Sequence, residues 1–311
     1  MNKKLFFIFG RCGLPLFILF SLGNPAYTKP PYSPIVSGDW LTSYSDMNNL
    51  VIVDIRTSNE YAAGHILNSI NIPFEMPVSA WIIMKDDLLL EVPEKEDLFN
   101  TLGAYGITRH SIVVVVTSGP AEPPYPLADA TRVADTLIYS GLKAVSILDG
   151  GYAKWVDEGR PTTTEIPVIH PVNYHGRVKK KMFVSIDYVK KLTEQNQSKS
   201  ILIDARDANV YDGSVIEPHA DKAGHIPTAK SLPTVLIWNK DGTYKSKQEL
   251  KDLAEAVVGN NKRREIVVYC GLGGYASSWW FVLTQVLDYK NVMIYDGAAQ
   301  EWARYYDMVL D

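Results

Sequence analysis

Short runs of consecutive apolar residues punctuate the chain, and most are followed by a stretch of helical length. Leu50-Val51-Ile52-Val53-Asp54, Ile112 to Val116, Ile201-Leu202-Ile203-Asp204 and Ile266 to Tyr269 are rich in β-branched residues, the pattern of short buried strands. Asp129 to Ser140 and Ala276 to Leu287 are long and apolar enough for buried helices, and Asp39-Trp40-Leu41 opens a shorter one. Strands alternating with helices predict an α/β fold, with a mostly parallel central sheet flanked by helices.

The pattern occurs twice. Asp54-Ile55-Arg56, Gly64-His65-Ile66 and Asn71-Ile72-Pro73 recur as Asp204-Ala205-Arg206, Gly224-His225-Ile226 and Ser231-Leu232-Pro233. Asp149-Gly150 with Trp155 recurs as Asp296-Gly297 with Trp302. The chain is therefore a tandem duplication of two α/β domains, 35–160 and 182–311, joined by a proline-containing linker over 161–181. The copies differ in one length: Asp54 and His65 are 11 positions apart, Asp204 and His225 are 21, so the second copy carries a ten-residue insertion.

The first 28 residues break the pattern. Lys3 and Lys4 precede the apolar stretches Leu5 to Phe9 and Leu14 to Leu22, and Gly23-Asn24-Pro25-Ala26 follow, the layout of a secretory signal cleaved after Ala26 or Thr28. Neither apolar stretch reaches the roughly 20 residues that span a bilayer. The expected mature chain is periplasmic or secreted, without a stable membrane anchor. The formal charge of −4 gives no electrostatic case for nucleic acid or an anionic membrane surface. Of two cysteines, Cys12 leaves with the signal. An exported protein then keeps one thiol, Cys270, with no internal disulfide partner.

Cys270 stands between a strand and a helix in Tyr269-Cys270-Gly271-Leu272-Gly273-Gly274-Tyr275-Ala276. The three glycines are expected to take backbone angles closed to other residues, so that successive N–H groups converge on the sulfur at a helix N-terminus. A thiolate held there is expected to have its pKa drawn below the free value of roughly 8.5, into a range of about 3.5–7.5. A buried, inert structural cysteine is the other reading. The equivalent turn of the first half, Val116 to Pro124, has no cysteine, and its three prolines lack the N–H such a cradle uses, so the first half is expected to be silent.

The paired Asp-x-Arg, Gly-His-Ile and Asp-Gly motifs, with a cysteine loop in the second copy, resemble the tandem-domain rhodaneses, or sulfurtransferases. Cys270-Gly271-Leu272-Gly273-Gly274-Tyr275-Ala276 is similar to the 3-mercaptopyruvate subgroup at Cys270, Gly271, Gly273 and Ala276 and departs from it at Leu272, Gly274 and Tyr275. The resemblance implies a catalytic Cys270 that carries sulfur as a persulfide and a binding loop of Gly271 to Ala276. It also implies a small anionic sulfur donor, a thiol or cyanide acceptor, and no cofactor. Arg206 is the expected cation for the donor, or else a structural residue paired with a neighbouring carboxylate. Asp54 and His65 match a proton relay proposed in the family, although a polar hinge that bonds backbone is the leading reading of His65, and Leu272 in place of a serine interrupts that relay. Thiosulfate, polysulfide or selenium transfer, and a non-catalytic sulfur carrier or binding module of an exported redox assembly, are the alternatives. His219, Asp221 and His225 have no common metal-ligand spacing, and no metal is expected.

Overall fold

The computed structural model describes residues 32–194 and 200–310. The expected signal segment over 1–28, with Cys12, lies outside them. In chain order the first half runs β1 (Ile35–Val36), α1 (Gly38–Tyr44), β2 (Leu50–Asp54), α2 (Ser58–Ala63), β3 (Ser69–Asn71), β4 (Ile83–Lys85), β5 (Leu88–Glu91), α3 (Lys95–Ala104), β6 (Ile112–Val116), α4 (Tyr125–Tyr139), β7 (Ala144–Leu148) and α5 (Gly151–Asp157). The second runs β8 (Phe183–Val184), α6 (Ile186–Glu194), β9 (Ser200–Asp204), α7 (Ala208–Tyr211), β10 (Lys230–Ser231), α8 (Lys247–Val258), β11 (Glu265–Tyr269), α9 (Gly274–Phe281), β12 (Val292–Tyr295) and α10 (Ala298–Tyr305).

Each half builds a five-stranded parallel sheet, ordered β1-β7-β6-β2-β3 and β8-β12-β11-β9-β10. The two orders superimpose strand for strand, as the duplication predicts. Parallel sheets are covered on both faces, and β6 and β9 are accordingly buried at every position. The inner faces share one core: Val113, Val115 and Val133 belong to the same apolar cluster as Ile203, Val268 and Trp279. Within it α4 packs directly on α9. The outer faces have separate cores, which contain Trp155 in the first half and Trp302 in the second.

The repeated motifs are clamps at the strand ends. Arg56 donates from Nε and Nη2 to the Asp54 carboxylate and from Nη2 to the Gly64 carbonyl at 2.9 Å. Arg206 does the same with Asp204 and the Gly224 carbonyl. His65 stacks on Tyr61 at 3.7 Å, and His225 on Tyr211 at 3.9 Å. Each Asp-x-Arg therefore ties a strand end to the Gly-His turn of its own half.

One element differs from the sequence reading. The helix expected from Ala276 to Leu287 begins at Gly274 and continues past Phe281 as a wider π turn over Val282–Val286. The stretch over 161–181 that joins the halves is tied to the first half. Thr163 exchanges backbone hydrogen bonds with His65, Val172 N–H donates to Gly103, and Lys179 N–H donates to Tyr139.

Candidate active site

Cys270 follows β11, the central strand of its sheet, at the carboxyl end where open α/β sheets place their sites. The Gly273 N–H points at the sulfur, 3.0 Å from Sγ. The Leu272 and Ala276 N–H groups act on it as well. Gly273 caps α9 with φ +106, a left-handed conformation that is costly for any residue with a Cβ. The cradle expected from the sequence is thus present, but of its three glycines Gly273 alone takes a positive φ.

The expected depressed thiol pKa is not found. The Cys270 side chain is 3% exposed, and burial pushes its pKa up. The N–H groups of Ala276, Gly273 and Leu272 oppose the rise, and the Glu217 carboxylate adds to it. A thiolate closed off from water loses more hydration than the three donors return.

The loop faces the other half of the molecule. Tyr275 stacks on Tyr125 of α4 with ring centroids 5.8 Å apart, and the Thr234 hydroxyl holds its carbonyl at 3.0 Å. A Cβ placed on Gly274 would lie 3.9 Å from Leu90 of β5. Leu272 is half-buried against the shared core. No group of three or more potential metal-binding side chains occurs among the described residues.

A family model for the rhodanese-like domain matches the chain twice, over residues 37–158 and 185–305. The chain belongs to the rhodanese family. Among its relatives, the sulfur carrier protein TtuD of Thermus thermophilus is 38% identical over 277 residues, 86% of this chain and 93% of that protein. A protein of Haloferax volcanii named "Putative thiosulfate sulfurtransferase" is 31% identical over 294 residues, 90% of this chain and 96% of that one. In fold it resembles the anaerobic ergothioneine biosynthesis enzyme of Chlorobium limicola, with TM-score 0.73 and 22% identity over 89% of this chain and 71% of that one.

In this rhodanese, Thr117 takes the place of Cys270 in the first half. Its carbonyl accepts from Tyr152 N–H as the Cys270 carbonyl accepts from Ala299 N–H, and its hydroxyl donates to the Pro126 carbonyl at 2.7 Å. Arg206 is 2% exposed and bound to Asp204, which leaves its Nη1 as the one guanidinium nitrogen of that side chain without a partner among the described residues. Asp54 is fully buried on Arg56, and His65 bonds the carbonyls of Tyr61 and Glu165. Both are engaged with backbone or side chains of their own half or its tied connection.

Three side chains at the site were missed. Glu217 lies against Gly271, Asp296 against Gly273, and Arg132 of the first half binds Asp296. The insertion that contains Glu217 and the Asp-Gly motif that contains Asp296 were both visible in sequence, but which loop each would touch was not.

Proposed function

We propose that this rhodanese moves a sulfane sulfur through a persulfide on Cys270. The observation that carries the reading is the convergence of loop N–H groups on Sγ at the end of the central strand. Cys270 thiolate attacks the outer sulfur of the donor, the donor's bond to that sulfur breaks with its electron pair on the leaving group, and a persulfide forms. An acceptor thiol or cyanide then takes the outer sulfur and regenerates the thiolate. Loop N–H donors that meet the thiolate also suit the charge of the persulfide's terminal sulfur.

The donor we favour is 3-mercaptopyruvate, with thiosulfate second. Position 271 is glycine and position 275 tyrosine, so the loop presents no cation to a dianion. Arg206 offers a single unspent Nη1, and its charge is already shared with Asp204. Within the binding loop Gly271 to Ala276, the N–H groups of Leu272, Gly273 and Ala276 hold the sulfur, while the first half, with Thr117 at the cysteine position, is silent. The signal-like order of the first 28 residues supports export to a periplasmic or secreted location with cleavage after Ala26 or Thr28, and N-terminal sequencing of exported material tests the cleavage: an intact Met1 there overturns it in favour of an uncleaved anchor.

Intact-protein mass spectrometry after exposure to 3-mercaptopyruvate, beside Cys270→Ser, tests the central claim. A one-sulfur gain in the wild type that is lost in the variant is expected. The absence of a gain from 3-mercaptopyruvate, thiosulfate and a polysulfide alike overturns it. The 38% identity to a sulfur carrier protein favours a second reading, in which Cys270 loads once and hands its sulfur to a partner protein. Multiple turnovers with a small thiol acceptor count against that alternative.

A further inference from the structure

The insertion of the second half brings Glu217 onto the cysteine loop. A Cβ built on Gly271 would lie 2.6 Å from Glu217 Oε2 and 2.8 Å from Oε1, so the carboxylate covers the residue directly after the nucleophile. Among the described residues no donor is hydrogen-bonded to it. Arg206 and His219 favour its ionised form, and burial, Asp204 and Asp207 oppose it. Arg206 does not cancel its charge, because three of the Arg206 hydrogen bonds already go to the Asp204 carboxylate.

A carboxylate with no hydrogen-bond donor among the described residues, placed beside a nucleophile, acts on incoming reagents by their charge. Each negative charge brought into a partly desolvated site is opposed in proportion to its number, whatever the shape of the molecule that carries it. We propose that Glu217 sets the sulfur-donor selectivity of Cys270, admitting neutral and singly charged donors and holding off doubly charged ones. This rests on the persulfide reading of Cys270 and names the donor class that the site takes.

Thiosulfate and methanethiosulfonate form the test pair. Both present a sulfane sulfur bonded to an oxidised sulfur, with charges of about −2 and −1 at neutral pH. In both, the Cys270 thiolate attacks the outer sulfur, the S–S bond breaks, and sulfite or methanesulfinate leaves with the bonding electron pair. Atoms and charge balance in each case without an added oxidant or reductant. With cyanide as acceptor, kcat/KM for the donor in a ping-pong scheme reports the first transfer alone.

Glu217→Gln keeps the shape and removes the charge. It is expected to raise kcat/KM for thiosulfate about tenfold relative to methanethiosulfonate, on the scale of one like charge removed from a partly buried site. In the wild type, added salt is expected to narrow the preference for methanethiosulfonate, and in Glu217→Gln to leave it unchanged. The salt series on the wild type stands even where the variant folds poorly. A ratio unmoved by the substitution, or a wild-type preference insensitive to salt, overturns the proposal while leaving the persulfide reading in place. A wild type that loads sulfur from neither donor overturns the proposal, and one that also gains none from 3-mercaptopyruvate and a polysulfide overturns the persulfide reading with it.

Discussion

Arg132 of α4 donates from Nη1 to Asp296 Oδ1 at 2.7 Å, joining two buried charges 164 residues apart in sequence and on opposite halves of the molecule. Arg132 Nη2 also donates to the Leu90 carbonyl, and Asp296 Oδ2 accepts from Val92 N–H at 2.8 Å. Asp296 Oδ1 lies 3.3 Å from where a Gly273 Cβ would stand. The half without a cysteine thus supports the cysteine loop from behind. The Asp-Gly motif of the first half reaches the other way, with Asp149 accepting from Tyr244 N–H at 2.8 Å. The two motifs cross over, and each secures the partner half.

Breaking a buried ion pair from one side leaves a charge without compensation, at a cost of about 3–5 kcal/mol. Arg132→Met and Asp296→Asn are each expected to lower the unfolding free energy by that order in urea titrations. The double variant is expected to cost clearly less than the two added together, since the members of a coupled pair are not additive. Additive losses would show that the two groups act separately.

The buried thiol makes a prediction about pH. Because burial raises the Cys270 pKa, the thiolate is the minor form at neutral pH, and its alkylation rate is expected to rise about tenfold per pH unit with an inflection above that of a free cysteine. Glu217 contributes to the rise, so Glu217→Gln moves the inflection to lower pH. A pH series with iodoacetamide, a neutral reagent, reads both. An inflection below neutrality would mean that the N–H cradle outweighs desolvation.

If Asp54 and His65 are clamps, their loss shows in stability and not in chemistry. His65→Ala removes two backbone partners and the stack on Tyr61, and is expected to cost about 1–3 kcal/mol. The kcat per folded molecule is expected to change less than about threefold, whereas loss of a proton relay costs on the order of a hundredfold or more. Measured at a temperature where the variant is fully folded, a drop of the larger size would restore the relay.

Much of this was legible because the duplication repeats side chains whose bonding is local. Asp54 and Arg56, or Asp204 and Arg206, are two positions apart, so each clamp is written within its own motif. Buried parallel strands announce themselves as β-branched runs, and Cys270 at the end of one was placed by topology alone. The hairpin β4–β5 gave no such signal: Ile83 to Glu91 lacks alternation, and its backbone is paired in part by Gln300, which exchanges hydrogen bonds with Leu89 from 211 positions away. The thiol pKa was misread for a related reason. The sequence displays the donors around a sulfur but not the depth at which the folded chain buries it.

The three loop glycines separate these influences, because a side chain would meet something different at each. At Gly274 the nearest atom to an added Cβ is Leu90 Cδ1 at 3.9 Å, an ordinary contact, and φ is not positive. Gly274→Ala is therefore expected to be neutral or to stabilise α9 by up to about 1 kcal/mol. At Gly273, with φ +106 and Asp296 behind it, alanine is expected to cost about 1–2 kcal/mol and to turn the N–H away from Sγ, so that sulfur loading slows sharply. At Gly271 the obstacle is the Glu217 carboxylate, the mobile end of a side chain. Gly271→Ala is expected to fold, to push that carboxylate aside, and to shift donor preference toward thiosulfate as Glu217→Gln does. Combining the two substitutions then adds nothing further to the ratio, because the second removes a charge that the first has already displaced. An additive shift in the double variant would place the Gly271 effect in the loop backbone and not in Glu217.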